Sequence, residues 1–457
     1  MQSGNTTAQP SRDGFATGLG VLAATLGSAV GLGNIWKFPY LTGSNGGATF
    51  LFVYLACTVL VGLPVMISEL MLGRAAQADA VTTYQRLGGN KGAWGIIGVS
   101  GVLASCLILA FYTDVAGWVF AYIFKAMSGS IVSTDPNTTS AAFNSMVSNP
   151  IQSLVWQWIV LAVVATIIIM GVSKGIEKTT KRLMPVLFLL LIIICVRSLT
   201  LPGASKGLAF LFSPDLSKIN GTAVLIAMGL AFFKLSIGTS TMTTYGSYFR
   251  RDQNIPLTAT RVVLADLTVS LLAGIAIFPA VFAFGFKPDA GPSLLFITIP
   301  AVFASMPMGR IFVVIFFVLT AIASTGAMLS LFEVPVAYLA ERHGMSRLKA
   351  SVMCAVGLAL FGAPSTLSSN LMADFKIFGL NMFDLCDFVS SNLLMPIGGL
   401  FICFFAAWIF GKDRIVEALS NRGALSNQGI SRVYTLLVAF LTPILVIIVL
   451  LNGLGVF

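Results

Sequence analysis

The sequence predicts an all-α integral membrane protein with about eleven transmembrane helices. Of its 457 residues, 57% are hydrophobic and only 10% are charged, and the mean hydropathy is +0.92. Apolar runs longer than the roughly 18 residues that cross a bilayer recur along the chain. Two of these runs contain polar, glycine-rich interruptions, at 27–39 and 232–248. These observations predict a helical bundle in which two helices are broken within the membrane.

The first interruption reads GSAVGLGNIWKFP and is a poor continuous helix, because glycine lacks side-chain restraint. Close packing of helices through small residues is the alternative explanation. The second interruption reads FFKLSIGTSTMTTYGSY and favours a different explanation. Paired interruptions at corresponding positions of two halves indicate a transporter binding site between inverted repeats.

The chain is predicted to form one transmembrane transporter domain over 1–457. A first repeat covers about 15–202, a second about 222–410, and an extra helix about 432–455. Each repeat begins with an interrupted span. Within this plan, 174–182 is expected to be a basic loop, 287–307 a re-entrant or interfacial hairpin, and 350–361 the ninth span.

The formal net charge of +10 lies mainly in loops after the even-numbered spans. We interpret these Lys and Arg residues as orienting charges and not as contacts for nucleic acid. They predict a multi-pass protein of the plasma or inner membrane, with a cytoplasmic N-terminus and an external C-terminus. No signal peptide is expected, and the six cysteines are expected to be neither disulfide-bonded nor metal-bound.

Six ionisable residues fall within apolar spans and should pair or face a cavity: Glu69, Asp114, Lys234, Asp266, Glu333 and Asp387. Near span ends, Glu69 and Asp114 are interpreted as snorkelling residues or as helix–helix contacts. Lys234 adjoins the second interruption, so a functional role is favoured for it and for Asp266. No nucleophile elbow, phosphate-binding loop or paired catalytic carboxylates are present, so the chain is not expected to be an enzyme.

Several motifs resemble the neurotransmitter:sodium symporter family along essentially the whole chain. They are AVGLGNIWKFPY (29–40), SELMLGR (68–74), YTDVAGW (112–118), TYGSYFRRDQNIP (244–256), FEVPVAYLAE (332–341) and FDLCDF (383–388). The resemblance is to the bacterial amino-acid transporters of the family. It implies the leucine-transporter fold, with two five-helix inverted repeats whose first helices are unwound mid-membrane.

The resemblance implies that the amides of Leu32 and Gly33, with Tyr112, hold a substrate carboxylate. Gly31 occupies the position at which amine transporters of the family have an aspartate, so zwitterionic amino acids are expected. The full set of implied substrate contacts is Ala29, Gly31, Leu32, Gly33, Ile108, Tyr112, Phe233, Ser236, Gly238, Thr239, Ser240 and Leu331. Family members typically carry a bulky apolar residue and a glycine where this chain has Thr239 and Ser240, which implies a more polar pocket and leaves the side-chain class open.

The resemblance also implies which residues form the two gates of the family in this chain. Lys37 and Asp387 match the outer pair, and Phe233 matches the aromatic lid. Arg12 and Glu341 match the inner pair, with Phe15 and Tyr248 near them. Gly175 and Pro185 fit the spacing at which the fifth helix of the family unwinds.

Both sodium sites of the family depart from the pattern here. The first implies Ala29, Asn34 and Asp266, but Lys234 stands at its hydroxyl position, where a tethered ammonium can replace the ion. The second implies carbonyls of Gly27, Val30 and Ala323, and its two side-chain ligands fall on Gly326 and Ala327, which have no side-chain oxygen. Ser324 and Thr325 serve instead only if the alignment shifts. Ser270 falls where chloride-dependent members have a serine, but Asp266 nearby supplies negative charge, so chloride is not expected.

The sequence therefore predicts a secondary active transporter of zwitterionic amino acids, working by alternating access, with sodium coupling altered or absent. The alternatives are an ordinary sodium:neutral amino-acid symporter and a non-transporting sensor or channel-like relative. The expected partners are a small amino-acid substrate and the lipid bilayer, without nucleic acid and without a cofactor other than a doubtful sodium ion. The amino acids transported and the oligomeric state are left open.

Overall fold

The computed structural model describes residues 13–215, 217, 219–288 and 294–453, and every regular element in these ranges is a helix. The helices of the first half are α1 (Gly18–Ala29), α2 (Gly33–Ser44), α3 (Ala48–Ala76), α4 (Ala80–Leu87), α5 (Gly95–Ser128), α6 (Pro136–Val147), α7 (Pro150–Ile169), α8 (Val172–Leu199) and α9 (Ala204–Phe212). Those of the second half are α10 (Gly221–Lys234), α11 (Thr241–Ser247), α12 (Ile255–Ala283), α13 (Thr298–Ala304), α14 (Gly309–Arg342), α15 (Arg347–Ser369), α16 (Met382–Phe410), α17 (Lys412–Leu419) and α18 (Gln428–Ile448).

Nine of the helices in the described ranges are long and apolar enough to cross a membrane: α3, α5, α7, α8, α12, α14, α15, α16 and α18. The pair α1 and α2 passes the same test together and is bent by 49° at its break. α10 is apolar but shorter, and α11 follows it after a six-residue break at 235–240. An all-helical membrane architecture is thus confirmed, whereas the count of eleven spans and the inverted repeat stay predictions.

Local sequence sets the start of several membrane helices. Asn149 and Asn254 precede α7 and α12, and their side chains accept hydrogen bonds from the amides of Gln152 and Leu257. In both helices a proline follows within the first turn, where its missing N–H costs nothing. Amide donors that would otherwise lack partners are thereby satisfied.

The helices differ in how deeply they lie in the bundle. α14 is the most enclosed of the nine, with 72% of its most apolar window buried, and it packs along α5. α18 is the most peripheral, with 28% buried. The breaks between α1 and α2 and between α10 and α11 both lie against this core, since α1 packs on α14 and α11 packs on α3.

Two expectations, about a connecting segment and about the limits of a span, are corrected. The basic stretch 174–182 is not a loop, because α8 begins at Val172 and is π-helical over Val172–Glu177. Gly175 and Pro185 therefore lie within a wound helix. α13 lies within the segment expected to be a re-entrant or interfacial hairpin, which stays a prediction. The ninth span is longer than expected and extends over Arg347–Ser369. Lys174, Lys178 and Arg182 are compatible with a helix because they lie on its exposed face.

Candidate functional site

The first break exposes backbone amides to side-chain acceptors. Val30 leaves the helical conformation, with φ −86° and ψ 104°. The Gly31 amide donates to Asn34 Oδ1 over 3.1 Å, and the Leu32 amide donates to the Tyr112 hydroxyl over 2.8 Å. A Cβ atom on Gly31 would lie 2.7 Å from that hydroxyl, so only glycine fits this close approach.

The second break is an irregular segment held by a buried carboxylate. Ser236, Gly238 and Ser240 all have positive φ, at 51°, 78° and 59°. The Glu69 carboxylate accepts from the Gly238 amide over 2.6 Å and from the amide and hydroxyl of Thr243, each over 3.2 Å. Because hydrogen bonds to a charged acceptor are strong, Glu69 replaces helical hydrogen bonding here.

A narrow cavity of about 20 Å³ lies between the two breaks. Its lining includes nine of the expected substrate contacts: Ala29, Gly31, Gly33, Ile108, Tyr112, Phe233, Ser236, Thr239 and Leu331. Lys234 and Ala327, expected in cation sites, line it as well, and so do Ser28 and Met395, which sequence reasoning missed. Residues from six helices and both breaks thus converge on one small, mainly apolar space with a few polar groups, as is typical of ligand sites.

Three expected contacts do not line this cavity: Leu32, Gly238 and Ser240. Leu32 bonds to Tyr112 only through its amide. Gly238 faces the backbone of Met395, whose carbonyl would clash with any Cβ at this position. The Ser240 side chain lies against Gly101 of α5. Its hydroxyl is therefore part of a helix contact and not of the pocket.

The Lys234 ammonium is buried in a cluster of oxygen atoms. It lies 3.1 Å from Asp266 Oδ2, and both side chains are fully buried. The ammonium also donates to the Tyr54 hydroxyl over 2.7 Å and to Ser270 Oγ. The three donors of the ammonium thus have three acceptors, which is the condition for burying such a charge.

Asn34 joins this cluster to the first break. Its Nδ2 atom donates to Asp266 Oδ1 over 2.7 Å and to Ser270 Oγ over 3.2 Å. The expected first-site residues Asn34, Lys234 and Asp266 are therefore brought together. Ala29, the fourth, lines the adjoining cavity. The ammonium thus contacts three oxygen atoms, on Asp266, Tyr54 and Ser270, at the position expected for the first sodium ion.

The region expected to form a second sodium site has little room for side-chain ligands. A Cβ on Gly326 would lie 2.6 Å from the Gly27 carbonyl oxygen, so α1 and α14 are in close backbone contact. Ser324 and Thr325 bond through their hydroxyls to the Ala321 carbonyl in their own helix, at 3.0 and 2.7 Å. Since a hard cation needs about six oxygen ligands, the side chains here do not complete such a site.

Two further expected ligands of this site are backbone carbonyls. The Ala323 carbonyl oxygen lies 3.9 Å from an ideal Cβ position on Gly31, so it faces the first break. Val30 lies in the break itself. Backbone oxygens therefore face this region, whereas Gly326 and Ala327 supply no side-chain oxygen.

The expected outer gate is assembled above the cavity. Lys37 Nζ lies 3.6 Å from Asp387 Oδ1 and 4.1 Å from the centroid of the Phe233 ring. Both charged side chains are partly exposed, and Phe233 lines the cavity below them. The Phe233 ring and the Lys37–Asp387 ion pair that covers it thus separate the cavity from the surface on this side.

The inner side differs in part from the expectation. Arg12 lies outside the described residues. Glu341 accepts a hydrogen bond from the Asp79 amide over 2.7 Å. The rings of Phe15 and Tyr248 meet edge-on with centroids 6.1 Å apart. The aromatic pair is thus as expected, while the described partner of Glu341 is a backbone amide.

A second inner contact was not assigned from the sequence. The Arg347 guanidinium binds both carboxylate oxygens of Glu333, at 3.0 and 2.6 Å, and the Tyr248 hydroxyl donates to the same carboxylate over 2.7 Å. This bidentate pair joins α14, α15 and the end of α11. In the sequence, only the position of the Glu333 carboxylate within an apolar span indicated this contact.

Comparisons with known proteins agree with this geometry. A model of the sodium:neurotransmitter symporter family matches residues 12–142 and 141–457. The chain belongs to the sodium:neurotransmitter symporter family. The relatives are transporters and not enzymes, as the sequence motifs implied.

Individual symporter relatives match over nearly the full length. The uncharacterized sodium-dependent transporter YhdH of Bacillus subtilis is 40% identical over 97% of this chain and 98% of its own. A sodium-dependent transporter of Haemophilus influenzae is 32% identical over 98% of this chain and 100% of its own. The crystal structure of MhsT in complex with L-phenylalanine has a TM-score of 0.89 at 40% identity, covering 97% and 100% of the two chains.

Within this symporter fold, sequence reasoning missed Ser28, Tyr54 and Met395 and gave Glu69 only a packing role. The Ser28 hydroxyl donates to Ser330 Oγ over 2.8 Å, which ties α1 to α14. No motif marks Tyr54 or Met395, because their roles depend on which helices become neighbours. The acidic residue in SELMLGR was the available signal for Glu69, since a carboxylate buried at membrane depth needs donors.

Proposed function

We propose that this symporter carries zwitterionic amino acids across a cell membrane by alternating access, with the Lys234 ammonium in place of the first sodium ion. The observation that carries the proposal is the fully buried contact of Lys234 with Asp266, beside a cavity that Lys234 also lines. A tethered ammonium supplies positive charge next to the substrate carboxylate. Because it cannot leave, it cannot transfer the energy of an ion gradient.

Three features support an amino-acid substrate. The break at 30–32 presents amides and the Tyr112 hydroxyl, which suit a carboxylate. Gly31 provides no counter-charge for an amine that lacks its own carboxylate. The related MhsT was crystallised with L-phenylalanine. The substrate carboxylate would lie between Tyr112 and Lys234, and its side chain would face Ile108, Thr239 and Leu331.

Alternating access requires the two ends of the cavity to open in turn. We assign the outer closure to Lys37, Asp387 and Phe233, and the inner closure to Phe15, Tyr248 and Glu341 with Arg12. The Glu333–Arg347 pair strengthens the inner side. In this single domain, the two broken helices α1–α2 and α10–α11 carry the substrate site, and no chloride is required.

An ordinary sodium:neutral amino-acid symporter is the second candidate. It is favoured by the names of relatives that match the full chain, which describe sodium-dependent transporters. A sodium ion held by the carbonyls of Gly27, Val30 and Ala323 would then suffice for coupling. Both candidates share the same substrate cavity and differ only in the ion.

Uptake of labelled amino acids into proteoliposomes separates the candidates. With Lys234 in the first site, uptake should depend weakly on sodium, and its activation should show no cooperativity between sodium ions. Lys234→Ser should raise sodium dependence because it restores a hydroxyl ligand. Steep, cooperative sodium activation of the unmodified protein would contradict the proposal, and the absence of uptake under all conditions would favour a sensor.

Substrate class is tested by competition in the same vesicles. Tyrosine and tryptophan should compete for uptake, whereas tyramine and tryptamine should not, because they lack the carboxylate. Equal potency of an amino acid and its amine would contradict a carboxylate site at Leu32 and Tyr112.

A further inference from the structure

A basic groove lies where α7 ends and α8 begins, and none of its lining residues lines the substrate cavity. Three exposed cationic side chains, Lys174, Lys178 and Arg182, line it together with Met170, Thr179 and Leu183. Its volume is about 340 Å³. The three cations are spaced four residues apart on a helix, so they share one face of α8.

The described residues place no carboxylate in an ion pair with this face. In the described ranges, no ion pair joins Lys174, Lys178 or Arg182 to a carboxylate. Glu177, the acidic residue of the same segment, is buried on another face and accepts from the Ala16 amide over 2.6 Å and from Lys181 over 2.6 Å. The cations are therefore available to a ligand.

The position of these charges is unfavourable without a ligand. They lie in the first turns of α8, where the helix dipole is positive, and like charges four residues apart repel each other. A bound anion would relieve both effects. The N-terminal end of a helix is also the end at which backbone amides favour anions.

The same face of α8 continues as an exposed apolar stripe. Val186, Leu189 and Ile193 follow Arg182 at helical spacing, with exposed fractions of 42%, 58% and 38%. A ligand that covers both parts needs an anionic head and an apolar tail. We propose that the groove binds the phosphate headgroup of an anionic phospholipid, with an acyl chain along this stripe. A soluble phosphate would use only the basic part.

Bound lipid should hold the first turns of α8 against the start of the chain. Glu177 and Val172 already connect this segment to Ala16 and Asp13, since the Val172 amide donates to Asp13 Oδ2 over 2.6 Å. A headgroup bound on the opposite face would neutralise Lys174, Lys178 and Arg182, whose mutual repulsion opposes helix formation in the first turns of α8. The site is independent of the substrate and of its coupling ion.

Native mass spectrometry of the full-length protein tests the site. Protein exchanged into mixed micelles of detergent with phosphatidylglycerol or phosphatidylcholine should retain phosphatidylglycerol preferentially. Each surface charge near an anionic headgroup changes binding about fivefold, so the triple variant K174Q/K178Q/R182Q should lose on the order of a hundredfold in affinity. Phosphatidylglycerol should also raise the melting temperature of the unmodified protein but not that of this variant.

A matched variant, K91Q/K412Q/R432Q, removes three exposed positive charges elsewhere in the chain. It should retain phosphatidylglycerol as the unmodified protein does, and unchanged circular dichroism of both variants verifies folding. Equal retention by the groove variant and the unmodified protein would overturn the proposal. Displacement of the lipid by millimolar inorganic phosphate or glycerol phosphate would also overturn it, because the groove would then be a site for a soluble anion.

Discussion

At the scale of single residues, Lys234 shows how a charge is stabilised inside this membrane protein. Each ammonium hydrogen has an acceptor, on Tyr54, Ser270 or Asp266. Removing one partner of a buried pair costs about 3–5 kcal/mol, since the remaining charge is left uncompensated. An exposed pair contributes only about 0–1 kcal/mol.

Asp266→Asn should therefore lower the free energy of unfolding by about 3–5 kcal/mol. The measurement is chemical denaturation in detergent micelles. Asp252→Asn is the matched control, because the Arg250–Asp252 pair has side-chain exposures of 65% and 70%. Its loss should be at most about 1 kcal/mol. Similar losses for the two variants would argue against a charged Lys234–Asp266 pair.

Thr239→Phe should shift substrate preference toward smaller apolar amino acids, because Thr239 lines the cavity. We expect large side chains to lose about tenfold or more in competition for uptake. Ser240→Ala is the matched control, since that side chain is turned toward Gly101. Its substrate profile should equal that of the unmodified protein. An unchanged profile for Thr239→Phe would place Thr239 outside the substrate pocket.

At the scale of helices, small residues decide how closely α1 approaches α14. Gly326 allows the Gly27 carbonyl to lie where a side chain would otherwise be. The Ser28–Ser330 hydrogen bond then forms one turn away. The small residues at 326 and 327 supply no side-chain ligand, and they also allow the two helices to pack closely. Both properties therefore belong to the same helix contact.

Gly326→Ser should consequently destabilise the protein instead of creating a working sodium ligand. Its Cβ would lie 2.6 Å from the Gly27 oxygen, and overpacking of this kind costs about 1–3 kcal/mol. Gly357→Ser in α15 is the control, since nothing lies within 4 Å of that position. Melting temperatures in detergent compare the two. A stable Gly326→Ser variant with stronger sodium activation would show that the helices separate to admit the ion.

At the scale of the whole molecule, orientation follows from where the basic loops lie relative to the helices. With eleven spans, the N-terminus should be cytoplasmic and the C-terminus external. An epitope tag at the C-terminus of the protein in intact cells should be reached by antibody from outside, and an N-terminal tag only after permeabilisation. A C-terminal tag reached only from inside would contradict the odd number of spans.

Much of the fold is determined by the sequence alone. Long apolar runs require helices in a bilayer, because no other local structure satisfies the backbone there. The motifs at 29–40, 112–118 and 244–256 were sufficient to identify the symporter family, and the lysine at 234 and the glycine at 326 were visible as departures from its pattern. These are properties of short segments, and each can be read without knowing its neighbours.

Only the tertiary structure decided which side chains share a site. Tyr54 joins Lys234 and Asp266 because α3, α10 and α12 meet, although the three residues are far apart in sequence. Ser240 lies outside the pocket because its side chain packs against Gly101 of α5, and 174–182 winds into α8 because its buried side has partners in α1 and α7. Burial and hydrogen bonding between distant segments set these outcomes, and composition and periodicity carry no information about them.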